Sequence, residues 1–144
     1  MFPELIKKNR VSFHDGFEKW EDAIAASCGP LLDQGAIEQS YIDEIVKKVN
    51  ELGAYIVIAP NICIPHAQEG QGVHETAVSF MKTQTPVKFS DDSDQDARLF
   101  FAFSSVDNDA HLENLDAVVS LLSDEKNMDI LLSAKSVEDL SDLP

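Results

Sequence analysis

Apolar positions along the chain fall into short blocks whose spacing alternates between strand and helix periods. Val11-Ser12-Phe13 alternates and predicts a first strand, closed by the turn pair Asp15-Gly16. From Phe17 to Cys28 the residues Phe17, Trp20, Ala23, Ile24 and Ala26 lie near one helical face. Gly29-Pro30 is expected to stop that helix, leaving a short helical turn over Pro30 to Gln34. Ser40 reads as the N-cap of a second helix, Tyr41 to Leu52, because Ile42, Ile45, Val46, Val49 and Leu52 recur at helical spacing. Gly53 suits the residue just past its end.

Tyr55 to Ala59 is continuously apolar, the pattern of a strand covered on both faces. Pro60-Asn61 interrupts it before another short strand that ends at His66. Thr76 to Met81 and Ala97 to Ser104 predict two more strands, the second central because Leu99 to Phe103 carries no polar side chain. Ser90 to Asp96, polar and acidic, reads as the loop between them. From Asp107 the period returns to helical, with Leu112, Leu115, Val118, Val119 and Leu122 on one face and Asp107, Asn108 and Asp109 all competent as N-caps. Shorter helices follow around Met128 to Leu132 and Val137 to Leu140. Strands interspersed with helices predict an α/β fold: one mixed sheet of about five strands with helices on both faces, formed by residues 1–144 as a single domain.

Charge narrows the function. With 26 acidic and 11 basic side chains the net charge is −15, and only Arg10 and Arg98 are arginines. Nucleic-acid binding needs clustered cations to neutralise phosphates, so that class is excluded. The acidity is concentrated in residues 107–144, where ten carboxylates face only Lys126 and Lys135; this favours solubility and capture of a basic protein partner. No apolar run approaches the roughly 18–20 residues needed to span a bilayer. The first residues lack the pattern of a secretory leader, so a cytoplasmic location is expected. Cys28 and Cys63 form neither a CxxC pair nor a disulfide framework, and Cys63, inside an apolar strand, is expected to be buried and inert. Phosphate-cradling glycine motifs, GxxxxGK[ST] or GxGxxG between strand and helix, are absent.

Candidate chemistry rests on two histidines. Pro65 ends an apolar strand and holds His66 in a defined direction beside a loop punctuated by Gly70 and Gly72. His111 falls in the first turn of the helix that begins near Asp107, where unpaired N–H groups and the helix dipole favour an anion. Two imidazoles facing each other there suit a phosphoryl group: neutral imidazole attacks phosphorus near pH 7, and the N–P bond is labile enough to pass the group on. No metal-bound nucleotide is needed if the donor is itself a phosphoprotein. His66, His74 and His111 are also a candidate three-histidine zinc set, and His14 has no distinguishing context. No HxH, HExxH or other tight ligand pair accompanies them, so neither a metal nor a cofactor is assigned.

Pro65-His66, the loop to Gly72-Val73, Pro86-Val87-Lys88-Phe89, the strand Leu99 to Ser104 and the segment Val106 to Leu115 occur in one order along nearly the whole chain. In that order they resemble the mannitol/fructose-class enzyme IIA of the bacterial sugar phosphotransferase system. Gly53 to Asn61, Val106 to Leu112 and Leu121 to Glu125 look more like its ascorbate-type subgroup. The resemblance implies a type-2 enzyme IIA fold and a phosphotransferase that takes up a phosphoryl group from the phosphocarrier HPr on His66. It then passes the group to a cysteine of enzyme IIB, for uptake through the membrane permease enzyme IIC, with His111 stabilising the bound group. A regulatory enzyme IIA-like module, in which the same phosphorylation signals to a protein partner, is the alternative. Two departures stand out: arginines found in relatives about sixteen residues before and two residues after the active histidine fall here near Asn50 and on Gln68.

Overall fold

Side chains alternate across the two longest strands, β4 (Ala77–Val87) and β5 (Ala97–Ser104), and that alternation builds two hydrophobic cores. Met81, Phe100 and Ala102 belong to one core, whereas Phe80, Leu99, Phe101 and Phe103 belong to the other. The computed structural model describes residues 1–68 and 71–144. Among these, β1 (Val11–His14), β2 (Val57–Ala59) and β3 (Asn61–Cys63) complete a five-stranded sheet in the order β1-β4-β5-β3-β2. Pairing of β1 with β4 and of β3 with β5 is parallel, while β4–β5 and β2–β3 are antiparallel. The sheet is therefore mixed.

Helices α2 (Trp20–Asp33) and α3 (Gln39–Leu52) close the first core. On the other face lie α1 (Phe2–Lys7), α4 (Asn108–Leu122), α5 (Glu125–Ser133) and a 3-10 turn at Val137–Leu140. Phe2 packs edge-on against Phe80 at 5.1 Å between ring centres, and Phe80 meets Phe101 across the strands at 5.0 Å. As expected, β5 is the central, most buried strand, and α/β with helices on both faces is the architecture found. Buried within the second core, the Lys82 ammonium donates to the carbonyls of Leu132 (2.7 Å) and Ala134 (2.5 Å), satisfying the end of α5. Burial holds its pKa below the ordinary lysine value.

Several boundaries differ from expectation. Gly29-Pro30 does not stop α2, which continues to Asp33. Proline removes one helical hydrogen bond, but Ile24, Ser27, Cys28 and Leu31 are all buried on the same side, and that packing outweighs the local penalty. The cap of α3 is Glu38, not Ser40. Tyr55 to Ala59 is not a strand covered on both faces: β2 is a three-residue edge strand with Ile58 47% exposed, and only Ile56 before it is in the core. The strand predicted over Thr76 to Met81 runs on to Val87, with a register shift between Lys82 and Val87 accommodating Pro86. α1 has no periodic signature in six residues; burial of Phe2 and Leu5 makes it. On α4 the buried positions are Val118 and Leu121, while Leu112 and Val119 are about half exposed, so the apolar face is rotated from the predicted one.

Candidate active site

β3 ends at Cys63, but the chain keeps alongside β5 for two more residues, with the Phe103 N–H donating to the Pro65 carbonyl at 3.0 Å. Ile64 is buried in the second core, and Pro65 then aims the backbone out of the sheet. His66 follows at the sheet's rim. Its Nδ1 lies 2.6 Å from the carbonyl oxygen of Ile64. A carbonyl can only accept, so Nδ1 carries the proton and Nε2 keeps its lone pair.

Two tyrosines fix the peptide unit that follows that ring. Tyr55 Oη donates to the His66 carbonyl at 2.5 Å, and its ring stands edge-on to the imidazole at 5.5 Å. Burial pushes the Tyr55 pKa up to about 12, which keeps the hydroxyl a donor. Tyr41, buried on α3, donates to the Phe103 carbonyl at 2.6 Å and accepts from the Ala67 N–H at 3.1 Å. One hydroxyl thereby ties the end of β5 to the residue after His66.

The second imidazole arrives from the opposite side. Asp107 caps α4 by accepting from the Ala110 N–H at 2.8 Å, which settles the choice among the three competent caps. His111 then sits in the first turn, its ring edge-on to Phe103 at 5.9 Å and 5.2 Å from the ring centre of His66. Both histidines line one open cleft of about 360 Å³, together with Lys48, Leu52, Tyr55, Ala67, Gln68 and Asn108. Burial lowers the His66 pKa, the bond to Ile64 raises it and the nearby His111 lowers it further; the net shift is downward. His66 is thus a neutral imidazole at pH 7 with an available Nε2.

The other candidates lie elsewhere. His74 pairs with Glu38 at 3.2 Å and His14 packs on Phe17, so the three-histidine set is not assembled. Among the described residues no group of three or more His, Cys, Asp or Glu side chains is placed to hold a metal ion. Both cysteines are buried, and burial raises the Cys28 thiol to about 12 and Cys63 well above its ordinary value. Arg10 is engaged with Glu75 (2.7 Å) and Gln34 (3.0 Å), and Arg98 donates to the Thr83 carbonyl at 3.3 Å. Asn50 faces a larger groove of about 620 Å³ between α2 and α3, whose lining includes no histidine or cysteine.

A neutral imidazole with a fixed tautomer, a second imidazole tilted toward it nearby and a water-open cleft is an arrangement for accepting a group at Nε2. The profile of the family described as "Phosphoenolpyruvate-dependent sugar phosphotransferase system, EIIA 2" matches residues 4–143. The chain belongs to this family. Enzyme IIA components of this system are phosphotransferases that move phosphoryl groups between proteins. The chain is 28% identical over 140 residues to the "Ascorbate-specific PTS system EIIA component" of Escherichia coli (strain K12), covering 96% of this chain and 91% of that protein. Its fold matches the solution structure of the "mannitol-specific cryptic phosphotransferase enzyme IIA CmtB" of Escherichia coli with a TM-score of 0.87 at 28% identity, over 98% of this chain and 95% of that one. It also matches, at a TM-score of 0.78 and 20% identity over 91% and 90% of the two chains, the Escherichia coli complex of enzyme IIA and phosphorylated enzyme IIB for mannitol. The type-2 enzyme IIA fold expected from the sequence is thereby established, and the similarity to an ascorbate-specific relative agrees with the subgroup resemblance. No helix among the described residues is long and apolar enough to cross a membrane.

Lys48, Tyr41, Tyr55 and Asn108 were not among the sequence candidates. Lys48 and Leu52 share the cleft face of α3 through their four-residue spacing, and Leu52 is 68% exposed. A large apolar residue with a lysine one turn before it was the available signal. It does not distinguish Lys48 from Lys47 until the helix has a phase.

Proposed function

We propose that this chain is a cytoplasmic phosphocarrier that accepts a phosphoryl group from phospho-HPr on His66 Nε2. It passes the group to a cysteine of enzyme IIB, serving uptake of ascorbate or a related sugar or polyol through enzyme IIC. The observation that carries this reading is the 2.6 Å contact between His66 Nδ1 and the Ile64 carbonyl, which leaves Nε2 as the nucleophile in the cleft. In the first half-reaction the Nε2 lone pair forms a bond to phosphorus as the donor's N–P bond breaks, and the donor imidazole leaves with that electron pair. The Nδ1 proton stays on His66, directed at the Ile64 carbonyl, so positive charge on the phosphorylated ring is shared with the backbone. In the second half-reaction a thiolate takes the phosphorus and neutral His66 is regenerated. His111, 5.2 Å away between ring centres, stabilises the group without bonding to it. The ascorbate-specific relative and the enzyme IIB-bound neighbour support the substrate class and the acceptor. Exposed Leu52, on the cleft wall, and exposed Leu112, next to His111 in the chain, offer the apolar contact a docking partner needs.

Phosphoenolpyruvate, enzyme I and HPr are expected to label the protein with an acid-labile, alkali-stable phosphoryl group. His66→Ala is expected to abolish labelling, and His111→Ala to slow both acceptance and transfer to enzyme IIB. Undiminished labelling of His66→Ala would overturn the assignment, and unchanged rates in both half-reactions would remove the role of His111.

A further inference from the structure

The phosphoryl group brings two negative charges, yet neither arginine lines the cleft. Of the described residues lining it, Lys48 is the one that carries a fixed positive charge. We infer that Lys48 is the cation that holds the phosphoryl group on His66. This inference rests on the carrier reading above. Lys48 and His111 reach the cleft from α3 and α4, which lie on opposite faces of the sheet, so they approach a group on Nε2 from two walls.

The ammonium is available for this. Its ion pair with Glu44 is long, 3.9 Å, and belongs to a partly exposed i,i+4 couple of the kind worth little in water. An ammonium has three donors, and one loose carboxylate contact leaves donors for phosphoryl oxygens. The side chain is 28% exposed, so a pair made in the cleft is partly shielded from solvent. Its neighbour Lys47 lines the groove between α2 and α3 instead, one helical step of about 100° away. Lys47→Met therefore removes the same charge from the same helix without touching the cleft.

The test is the equilibrium of phosphoryl exchange between HPr and this chain, together with a 31P NMR titration of the phosphohistidine. Lys48→Met is expected to shift the exchange constant toward phospho-HPr by about tenfold to a hundredfold, the effect of one charge-assisted hydrogen bond. It should also raise the pH at which the bound phosphoryl group takes up its last proton. Lys48→Arg should restore both properties, and Lys47→Met should leave both unchanged. Matching thermal melts for the two methionine variants separate this effect from loss of structure. If the wild type is phosphorylated and Lys48→Met behaves like Lys47→Met, Lys48 has no such role while the carrier function stands. If the folded wild type is never phosphorylated by HPr, both fall together.

Discussion

The hydroxyl of Tyr41 makes a sharp test of how the active histidine is held. Tyr41→Phe removes one oxygen and leaves the ring, so the core keeps its apolar packing. What is lost is the bond to the Phe103 carbonyl (2.6 Å) and the bond from the Ala67 N–H (3.1 Å). Each such bond is worth about 1 kcal/mol net, and a buried group left without a partner costs about 1–3 kcal/mol. Ala67 is partly solvent-accessible and can recover water, whereas Phe103 is 1% exposed, so a total near 2 kcal/mol is expected. Unfolding entropy of about 2.1 cal/mol/K per residue gives the 144-residue chain about 0.3 kcal/mol/K, hence a fall in Tm of about 6–7 °C. Calorimetry should show that fall, with a urea midpoint shift at constant slope. The rate of phosphoryl acceptance at His66 should fall as well, because the residue after the nucleophile is no longer tied to β5. A Tm change under about 2 °C, with an unaltered transfer rate, would refute the idea that this hydroxyl anchors the site.

Two further outcomes follow from charge. Because burial lowers the His66 pKa, the folded state binds fewer protons than the unfolded state between that lowered value and the ordinary one near 6.5. Stability is therefore intact above pH 6.5 and declines as pH falls through the lowered value; wild type measured against His66→Ala should show this decline, and no difference in slope would refute the assignment. Encounter with a basic phosphocarrier should slow with salt, since −15 on this chain steers association and about 0.5 M salt shortens the Debye length to about 4 Å; a second-order rate constant that is flat or rising with ionic strength would assign the acidity to solubility alone.

Much of this molecule is legible in its periodicity, and the parts that are not share one cause. The central strand and its two covered faces follow from the apolar run Leu99 to Phe103, and the presence of α4, though not the face it buries, from its helical spacing. Continuation of α2 through Gly29-Pro30 does not, because the favourable packing of Leu31 is a long-range contact. The exposure of β2 depends on its lying at the edge, and strand order cannot be read from the apolar run Tyr55 to Ala59. His66 and His111 are legible because each has a local signature, a proline at a strand end and a helix first turn. Tyr41 has none and Lys48 only its spacing from Leu52: their roles arise when α3 is docked, with Tyr41 turned toward β5 and Lys48 toward the cleft.

The sparse positive charge of the cleft fits the work proposed for it. A carrier must accept a phosphoryl group readily and release it just as readily, so contacts that stabilise only the loaded state slow the second transfer by the factor they gain in the first. One more charge-assisted contact would deepen that state by about tenfold to a hundredfold. With one lysine, a histidine pair and the first turn of α4 around Nε2, stabilisation comes from a single fixed cation and neutral groups rather than from a cluster of cations. The remaining positive charge is then best supplied by each partner on docking, present during transfer and absent afterwards, which lowers the barrier without deepening the resting state. A net charge of −15 on a chain whose cleft is only weakly cationic is suited to such partners, since it draws basic proteins to the molecule and leaves the charge they bring unopposed within the cleft.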